Sequence, residues 1–455
     1  MGFNPLISCK FMKPKKPEKT LQDDMFRMRL ENLLDQRHEL YRLSWKLDWK
    51  AAEERFGLLY SEAGRPGIPI RLMVGLHYLK HAFNESDESV VARWVENPYW
   101  QYFCGEEFFR HKLPIDPSQM TRFRKRIGEE GCEFMLGLTV KLGVETGTVS
   151  PSSFAVVNVD TTVQEKAVAF PTDARLYHKA RAALVRQAKR HGIVLRQSYE
   201  RVSKIALAKS GRYAHARQMN RAKREQKRLR TYLGRVLRDI ERKLTDGAKE
   251  KMAKLIEVSW RIHAQQRHDK RKIYSVHAPE VECIAKGKSH KPYEFGVKVG
   301  VVSTSRESFV VGMKSLPGNP YDGHTLKESL EQSQRLTGVA VKEAYVDRGF
   351  RGHGLDWQTL KVWIAGAKRG VTVAIRDKLK RRNAVEPVIG HMKTDGRLGR
   401  NFLKGMEGDA MNALLCGAGH NLRKILRRLA LLFARWMELL LEKYRSLLFH
   451  HQACA

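Results

Sequence analysis

The sequence predicts an α/β core that is joined to all-α segments. Short runs such as FAVVNV and VKEAYV predict buried strands, because each is brief and contains β-branched residues. The stretches before and between these runs carry apolar residues at helical spacing, which predicts amphipathic helices. The third observation is charge: Lys and Arg number 84 against 49 Asp and Glu, so the formal net charge is +35.

A chain with this charge repels itself, so a polyanionic partner is expected, and nucleic acid is a commoner one than a membrane surface. The alternative is a protein that is merely basic. The six cysteines include no C-x-x-C pair, which argues against a zinc ribbon and against a disulfide-rich secreted scaffold. The late apolar stretch LALLFARWMELLLEKY is too short to span a bilayer. We therefore expect a cytoplasmic protein with no membrane partner.

Changes in composition divide the chain into five predicted parts. These are a basic flexible leader (1–26), a helical N-terminal DNA-binding domain (27–147), an α/β core in two pieces (148–174 and 273–408), a basic helical insertion (175–272) and C-terminal helices (409–455). Within the α/β core, the runs KPYEFGVKVGVVST and SFVVGMKSL predict a hairpin, and TLKESLEQSQRLTG predicts a helix that stops at Gly338. VTVAI, at 371–375, is a further strand candidate.

One N-terminal segment, DPSQMTRFRKRIG, predicts a helix with Asp116 as its N-cap and Pro117 in its first position. Its predicted apolar face is Met120, Phe123 and Ile127. The cations that would face DNA in a helix-turn-helix-like bundle are Arg122, Arg124, Lys125 and Arg126. An ordinary amphipathic surface helix is the equally weighted alternative.

The insertion is the most basic part of the chain, with 22 Lys and Arg against 4 Asp and Glu between residues 175 and 243. Apolar residues at helical spacings within it predict a hairpin or a small bundle, which would follow the phosphates of DNA. A solvated coiled coil or dimer arm is the alternative. The cations that we expect on DNA are Arg221, Lys223, Arg224, Lys227 and Arg228.

Three carboxylates stand at chemically suggestive places. Asp160 and Asp347 each follow a predicted strand, and Glu386 lies in RRNAVEPVIGHMKTD. Arg382 and Lys393 flank Glu386 at a spacing that would put all three on one helix face. The order strand(Asp), helical insertion, strand, strand, helix, strand(Asp), strand, helix(Glu) is that of a ribonuclease H-like fold, with a mixed five-stranded sheet and helices.

The chemistry that these residues permit is phosphoryl transfer with two Mg²⁺ ions, for which Mn²⁺ is an expected substitute. Crowded carboxylates repel one another unless cations neutralise them, and Mg²⁺ prefers oxygen ligands. In this hypothesis Asp160 bridges both ions, while Asp347 and Glu386 each complete one site. Arg382 and Lys393 would each hold a DNA phosphate.

Several blocks in this order resemble a known family. GRPGIPIRLMVGLHYLKH, NVDTTVQEKAVAFPTDARLYHKAR, PGNPYDGHTL, AYVDRGFRG and RRNAVEPVIGHMKTDGRLGRNFLKG resemble the DDE transposases of bacterial insertion sequences, in the insertion-sequence-five group of the insertion-sequence-four superfamily. The superfamily's last block reads Tyr-x2-Arg-x3-Glu-x6-Lys. Arg382, Glu386 and Lys393 match it, and Leu379 stands at the tyrosine position.

The resemblance implies an endonuclease and strand-transfer activity that moves a DNA element in a bacterial cell. Terminal inverted repeats would be bound by the N-terminal domain and the basic insertion, and a homodimer would pair two ends before the 3′-hydroxyls attack target DNA. In the bound state the protein would lie on the nucleoid. The alternatives are a ribonuclease H-like nuclease that does not join strands and a catalytically inactive DNA-binding relative. His324 near the site and Trp357 as a base-stacking residue are weaker candidates.

Overall fold

The computed structural model describes residues 11–12, 28–61, 65–285, 291–355, 360–366 and 372–453. The helices are α1 (Leu30–Leu33), α2 (Glu39–Lys46), α3 (Trp49–Gly57), α4 (Ile70–Ala82), α5 (Asp87–Glu96), α6 (Pro98–Phe103), α7 (Ser118–Glu145), α8 (Asp173–Arg190), α9 (Glu200–His215), α10 (Met219–Glu241), α11 (Asp246–Ala264), α12 (Asp322–Thr337), α13 (Val373–Arg382), α14 (Val385–Asp395) and α15 (Gly405–Ala453). The strands are β1 (Phe11–Met12), β2 (Arg65–Pro66), β3 (Val156–Glu165), β4 (Glu282–Ala285), β5 (Tyr293–Thr304), β6 (Val310–Leu316), β7 (Glu343–Val346) and β8 (Lys361–Ile364). Short 3₁₀ helices lie at Pro151–Ala155 and Arg348–Phe350.

A mixed sheet of six strands lies at the centre of the described residues. Strand β3 pairs antiparallel with β5 on one side and parallel with β7 on the other, and β7 pairs parallel with β8. The far edge of β5 pairs with β4 along its first residues and with β6 along the rest. The sheet therefore has one strand more than the five predicted: β4 and β8 were not predicted, whereas the predicted strand VTVAI is not part of the sheet.

The predictions for the individual core elements are mostly confirmed. Strands β5 and β6 form the expected antiparallel hairpin, and α12 ends where Gly338 adopts the left-handed region at φ +67°. The strand predicted at VTVAI is wrong, because α13 begins at Val373. The Thr372 hydroxyl accepts the N–H of Ile375 and caps this helix, and Val373 is 72% exposed, so its β-branched side chain has no sheet to pack against.

The N-terminal helices and the sheet share one hydrophobic cluster, which runs from Leu40 in α2 to Leu429 in α15. The aromatic residues Trp94 and Trp100 are fully buried in it. A single long helix, α15, stands in place of the several C-terminal helices that were expected, and it packs against α4, α7 and β6. Among the described helices, none has an apolar stretch long enough to cross a membrane.

The start of α7 differs by one residue from the prediction. The helix begins at Ser118, Pro117 occupies the cap position, and Asp116 accepts the N–H of Ser118 at 2.9 Å. The predicted apolar face is buried as expected, and Gly128, at φ +63°, interrupts the helix. Of the predicted leader, only Phe11–Met12 lies within the described residues, where it pairs with β2.

Helices α8 to α11 have a hydrophobic cluster of their own, from Ala174 to Ile273. Helix α10 contributes Leu229, Leu233 and Leu237 to it, while the opposite face of α10 carries cations. The apolar residues that the sequence shows at helical spacing thus pack against one another inside the insertion.

A buried ion cluster joins α4, α5 and α7. Asp87 accepts hydrogen bonds from Lys80 at 2.8 Å and from Arg124 at 2.9 Å, and the Lys80 and Arg124 side chains are only 6% and 2% exposed. Burial lowers the pKa of Lys80 to about 8. The prediction that Arg124 faces DNA is therefore wrong, because its guanidinium is taken up inside the helical bundle by Asp87.

The Asp87 carboxylate is the anion that makes these two buried cations tolerable. Removing one partner of a buried ion pair costs about 3–5 kcal/mol, because the charge left behind is unpaired. We expect Asp87→Asn to lower the free energy of unfolding at pH 7 by about 3 kcal/mol, measured by urea denaturation.

The effect should depend on pH. Burial alone would raise the pKa of Asp87, but the hydrogen bonds and charges of Arg124 and Lys80 hold it below its usual value of 3.8. The carboxylate thus stabilises the fold above that value and loses its contribution as pH falls through the folded-state pKa, so the deficit of D87N should shrink below about pH 4. The exposed pair of Asp35 with Arg37 is the control, and D35N should leave the free energy of unfolding nearly unchanged, because solvent screens this pair. Equal losses in both variants would contradict the ion-cluster account.

Candidate active site

Asp160 and Asp347 stand side by side on neighbouring parallel strands. Asn158 of β3 is paired with Tyr345 of β7, and two residues further along each strand lie the two aspartates. Strand β7 ends at Val346, so Asp347 is at its carboxyl end as predicted. Asp160 is not at a strand end, because β3 continues to Glu165 against β5. What opens the sheet beside Asp160 is the end of β7, not the end of β3.

The Asp160 carboxylate is mostly buried and hydrogen-bonded. Its Oδ2 accepts from Nη2 of Arg382 at 3.1 Å, and its Oδ1 accepts from the N–H of Thr161 at 2.7 Å. Burial raises the pKa of Asp160 to about 6 despite Arg382, and the nearby carboxylates of Asp347 and Asp322 add to the rise. Burial and like-charge neighbours both favour the neutral form of this carboxyl group, whereas Arg382 favours the charged form.

Asp322 is a carboxylate of this site that the sequence argument missed. It is the first residue of α12, and its Oδ1 accepts hydrogen bonds from Nζ of Lys298 at 3.0 Å and from Oγ1 of Thr161 at 3.1 Å. An aspartate in the first turn of a helix is usually a cap, so its position alone carried no signal. The signal that could have revealed this carboxylate is Lys298, because a lysine within the apolar run of β5 needs a buried anion nearby.

Gly349 marks the point where Asp322 and Asp347 meet. Its N–H donates to Oδ1 of Asp347 at 2.8 Å. A Cβ at position 349 would lie 2.8 Å from Oδ2 of Asp322 and 3.0 Å from Oδ1 of Asp347. The sequence suggests that this glycine permits a tight turn, but its φ is not positive. Its lack of a side chain instead lets two carboxylates approach the same place on the backbone.

Glu386 is placed by a different helix from Arg382. Arg382 ends α13, whereas Glu386 and Lys393 lie on α14, so the prediction of one continuous helix face is wrong. Pro387 is the physical reason: it has no N–H, and its ring would clash with the carbonyl of Asn383 four residues earlier. Helix α14 accordingly begins at Val385, two residues before Pro387.

The three predicted acidic ligands are not brought together. Helix α14 packs against β3 through buried residues such as Val385, but the Glu386 side chain is exposed. In the described part of the chain, no group of three or more His, Cys, Asp or Glu is arranged to hold a metal ion. Asp160 and Asp347 are the pair that fits Mg²⁺, because this ion needs only one or two carboxylates when water and substrate phosphates supply its other ligands.

The predicted DNA-facing cations differ in their exposure. The five on α10 are all exposed: Arg221, Lys223, Arg224, Lys227 and Arg228. On α7, Arg122 and Lys125 are exposed, and Arg126 lies over the ring of Tyr60 at 4.5 Å from its centre. A basic surface thus lies on α10 and a smaller one at the start of α7.

The remaining candidates are peripheral or outside the described residues. His324 is exposed and contacts the ring of Tyr321, two residues from Asp322. Lys393 is half-buried on α14, and its carbonyl accepts the N–H of Gly399 at 3.3 Å. Trp357 lies outside the described residues.

A methyl group at position 349 should disturb the two carboxylates that meet there. Both are held by donors, so Gly349→Ala forces a displacement, and we expect it to lower the free energy of unfolding by about 1–3 kcal/mol in urea denaturation. The control is Gly390 on α14, where an added methyl meets nothing within 4 Å. G390A should stabilise the protein by up to about 1 kcal/mol, since alanine favours a helix. A G349A protein as stable as the wild type would contradict the crowding.

Comparison with known proteins identifies the N-terminal helices. The family described as "Transposase domain (DUF772)" matches residues 28–126, from before α1 into α7. A curated relative from Rhizobium meliloti, named as an uncharacterized protein ORF8 in the nfe locus, is 55% identical over 207 residues, which is 46% of this chain and all of that protein. No solved structure matches. The chain belongs to the same family as that ORF8 protein, and its N-terminal helices are similar to a transposase domain.

Proposed function

We propose that the protein is a DDE-type DNA transposase, which binds the terminal inverted repeats of an insertion sequence, cuts the DNA strands and transfers the 3′-hydroxyl ends into target DNA. The observation that carries the proposal is the register that sets Asp160 beside Asp347 at the open end of β7. The transposase domain at residues 28–126 supports DNA as the substrate.

The order of elements supports a ribonuclease H-like core. A strand with Asp160 is followed by the helical insertion, the β5–β6 hairpin, α12, β7 with Asp347, β8, and the two helices that lead to Glu386. The open end of β7 gives substrate access to the carboxylates, as at the carboxyl ends of strands in other open α/β sheets.

Bound Mg²⁺ ions would activate the attacking water or 3′-hydroxyl and stabilise the leaving oxygen. Asp160 and Asp347 would be the residues that hold them, and burial together with the nearby carboxylates raises the pKa of Asp160, so a bound cation would favour its charged form. Arg382 keeps Asp160 oriented from one side through its Nη2. Glu386 is the third proposed ligand, and it lies on α14 one residue beyond the buried Val385.

The exposed cations of α10 and α7 would bind the DNA backbone. Five positive side chains lie within two turns of α10, whose other face is fixed in the core of the insertion bundle, so they form a rigid basic surface. Rigid placement reduces the entropy lost on binding. Pairing of two element ends would bring two copies of the chain together as a homodimer.

The three proposed catalytic carboxylates can be tested separately. We expect Asp160→Asn, Asp347→Asn and Glu386→Gln each to lower Mg²⁺-dependent cleavage of duplexes carrying the element's own ends by at least about 10³-fold. DNA affinity in a gel-shift assay should be retained, because the cations are untouched. Glu257→Gln on α11, an exposed carboxylate, is the control and should cleave like the wild type.

Three other results would contradict the proposed catalytic residues or favour one of the alternative functions. Cleavage that persists in all three variants would show that these carboxylates are not the catalytic ones. Cleaved products that never join a second duplex would favour the nuclease. Binding without products in the wild type would leave an inactive DNA-binding relative.

The basic surface of α10 predicts a change in salt dependence. Each phosphate contact contributes about 0.9 to the slope of log affinity against log salt, so replacing the five α10 cations by Gln should make the slope shallower by up to about 4.5. A three-residue exchange to Gln at Lys249, Lys251 and Lys254 on α11, in the same bundle but on another helix, is the control and should change the slope little. An unchanged slope in the α10 variant would show that this surface does not contact phosphates.

A further inference from the structure

Asp322 lies near both proposed catalytic aspartates, but it is not one of the three proposed metal ligands. Its Oδ1 is held by Lys298 and by the hydroxyl of Thr161, the residue directly after Asp160. Its Oδ2 borders the same space above Gly349 as Oδ1 of Asp347. One carboxylate thus links the strand of Asp160 to the end of the strand of Asp347.

Lys298 explains why a carboxylate is needed there. Its side chain is 13% exposed, and Nζ donates to the carbonyl of Pro320 at 2.7 Å as well as to Asp322. A half-buried ammonium attracts whichever anion is nearest, since the attraction grows as the local dielectric falls. Oδ1 of Asp347 approaches the same point beside Gly349 as Oδ2 of Asp322. Asp347 is therefore an anion that Lys298 would attract if Asp322 carried no charge.

We propose that Asp322 is a positioning residue of the cleavage site, which occupies the Lys298 ammonium and keeps Asp347 directed towards Asp160. The inference rests on the proposed function. Two effects act in the same direction: Asp322 neutralises the competing cation, and its own negative charge repels the Asp347 carboxylate from the α12 side. The N–H of Gly349 holds Asp347 against this repulsion.

A purely structural pair would behave differently. If the contact only fastened α12 to β5, loss of either partner would lower stability, and loss of both would be no better for catalysis than loss of one. If Asp322 restrains Lys298, removing the lysine should restore what neutralising the aspartate destroys. A double-mutant cycle separates the two cases.

The experiment measures Mg²⁺-dependent strand cleavage and Mn²⁺ binding by electron paramagnetic resonance for the wild type, Asp322→Asn, Lys298→Met and the double variant. We expect D322N to cleave about 100-fold more slowly, since misplacing a catalytic group by about 1 Å has an effect of this size. K298M should stay within about 3-fold of the wild type, and the double variant should recover to within about 10-fold, because no cation remains to capture Asp347.

Metal binding supplies a readout apart from activity. D322N should bind Mn²⁺ more weakly than the wild type, and the double variant should regain the affinity. The ion pair of Glu328 on α12 with Lys314 on β6, at 2.8 Å, is the matched control, and E328Q and K314M should alter neither readout. Thermal melting of every variant reports folding, and if D322N does not fold, K298M decides alone: removing a nearby cation should tighten its Mn²⁺ binding.

The outcomes distinguish the two proposals. A wild type that neither binds Mn²⁺ nor cleaves would overturn the proposed function, and the role of Asp322 with it. If the wild type binds Mn²⁺ and cleaves, two results would overturn the role of Asp322 alone. One is a double variant as impaired as D322N, and the other is a K298M protein with unchanged Mn²⁺ affinity. Rescue of both readouts in the double variant would establish it.

Discussion

The pairing of β3 with two neighbours at once is the constraint on which the site depends. Its antiparallel register with β5 fixes which residues of β3 face each side of the sheet, and its parallel register with β7 sets Asp160 level with Asp347. Successive side chains on a strand point to opposite faces, so a slip of one residue would turn Asp160 towards α12 and bury Thr161 in its place. Buried valines on β3 and β5 resist such a slip, because it would expose them.

The charged groups around β3 are neutralised in local pairs. Asp160 has Arg382, Asp322 has Lys298, and beyond the far end of the strand Lys166 has Asp409 at 2.7 Å on α15. Each pair joins the sheet to a different helix, so the ionic contacts also fix where the helices sit. Unlike Asp160 and Asp322, Asp347 forms no ion pair among the described residues, which fits its proposed role as a metal ligand.

Patterns within a short stretch of sequence predicted the elements and two of the aspartates. The runs before Asp160 and Asp347 showed strands, and the helical spacing before Gly338 showed α12. The predictions that failed concern side chains whose contacts are with residues far away in the sequence. The exposure of Arg124 depends on Asp87, which lies 37 residues earlier. The role of Asp322 depends on Lys298 and on the absent side chain of Gly349, and no local pattern distinguishes such an aspartate from a cap.

The insertion between β3 and β5 has a consequence for how the chain folds. The helices α8 to α11 lie between two strands that must pair along most of their length, so Val157 meets Thr304 only after the whole bundle has been spanned. The bundle can collapse on its own short-range contacts, whereas closing the sheet brings together segments far apart in the chain, and such contacts form slowly. Until then the apolar edge of β3 stays unpaired, a state that favours aggregation. The same insertion that carries the basic surface is therefore expected to delay the assembly of the sheet that carries Asp160.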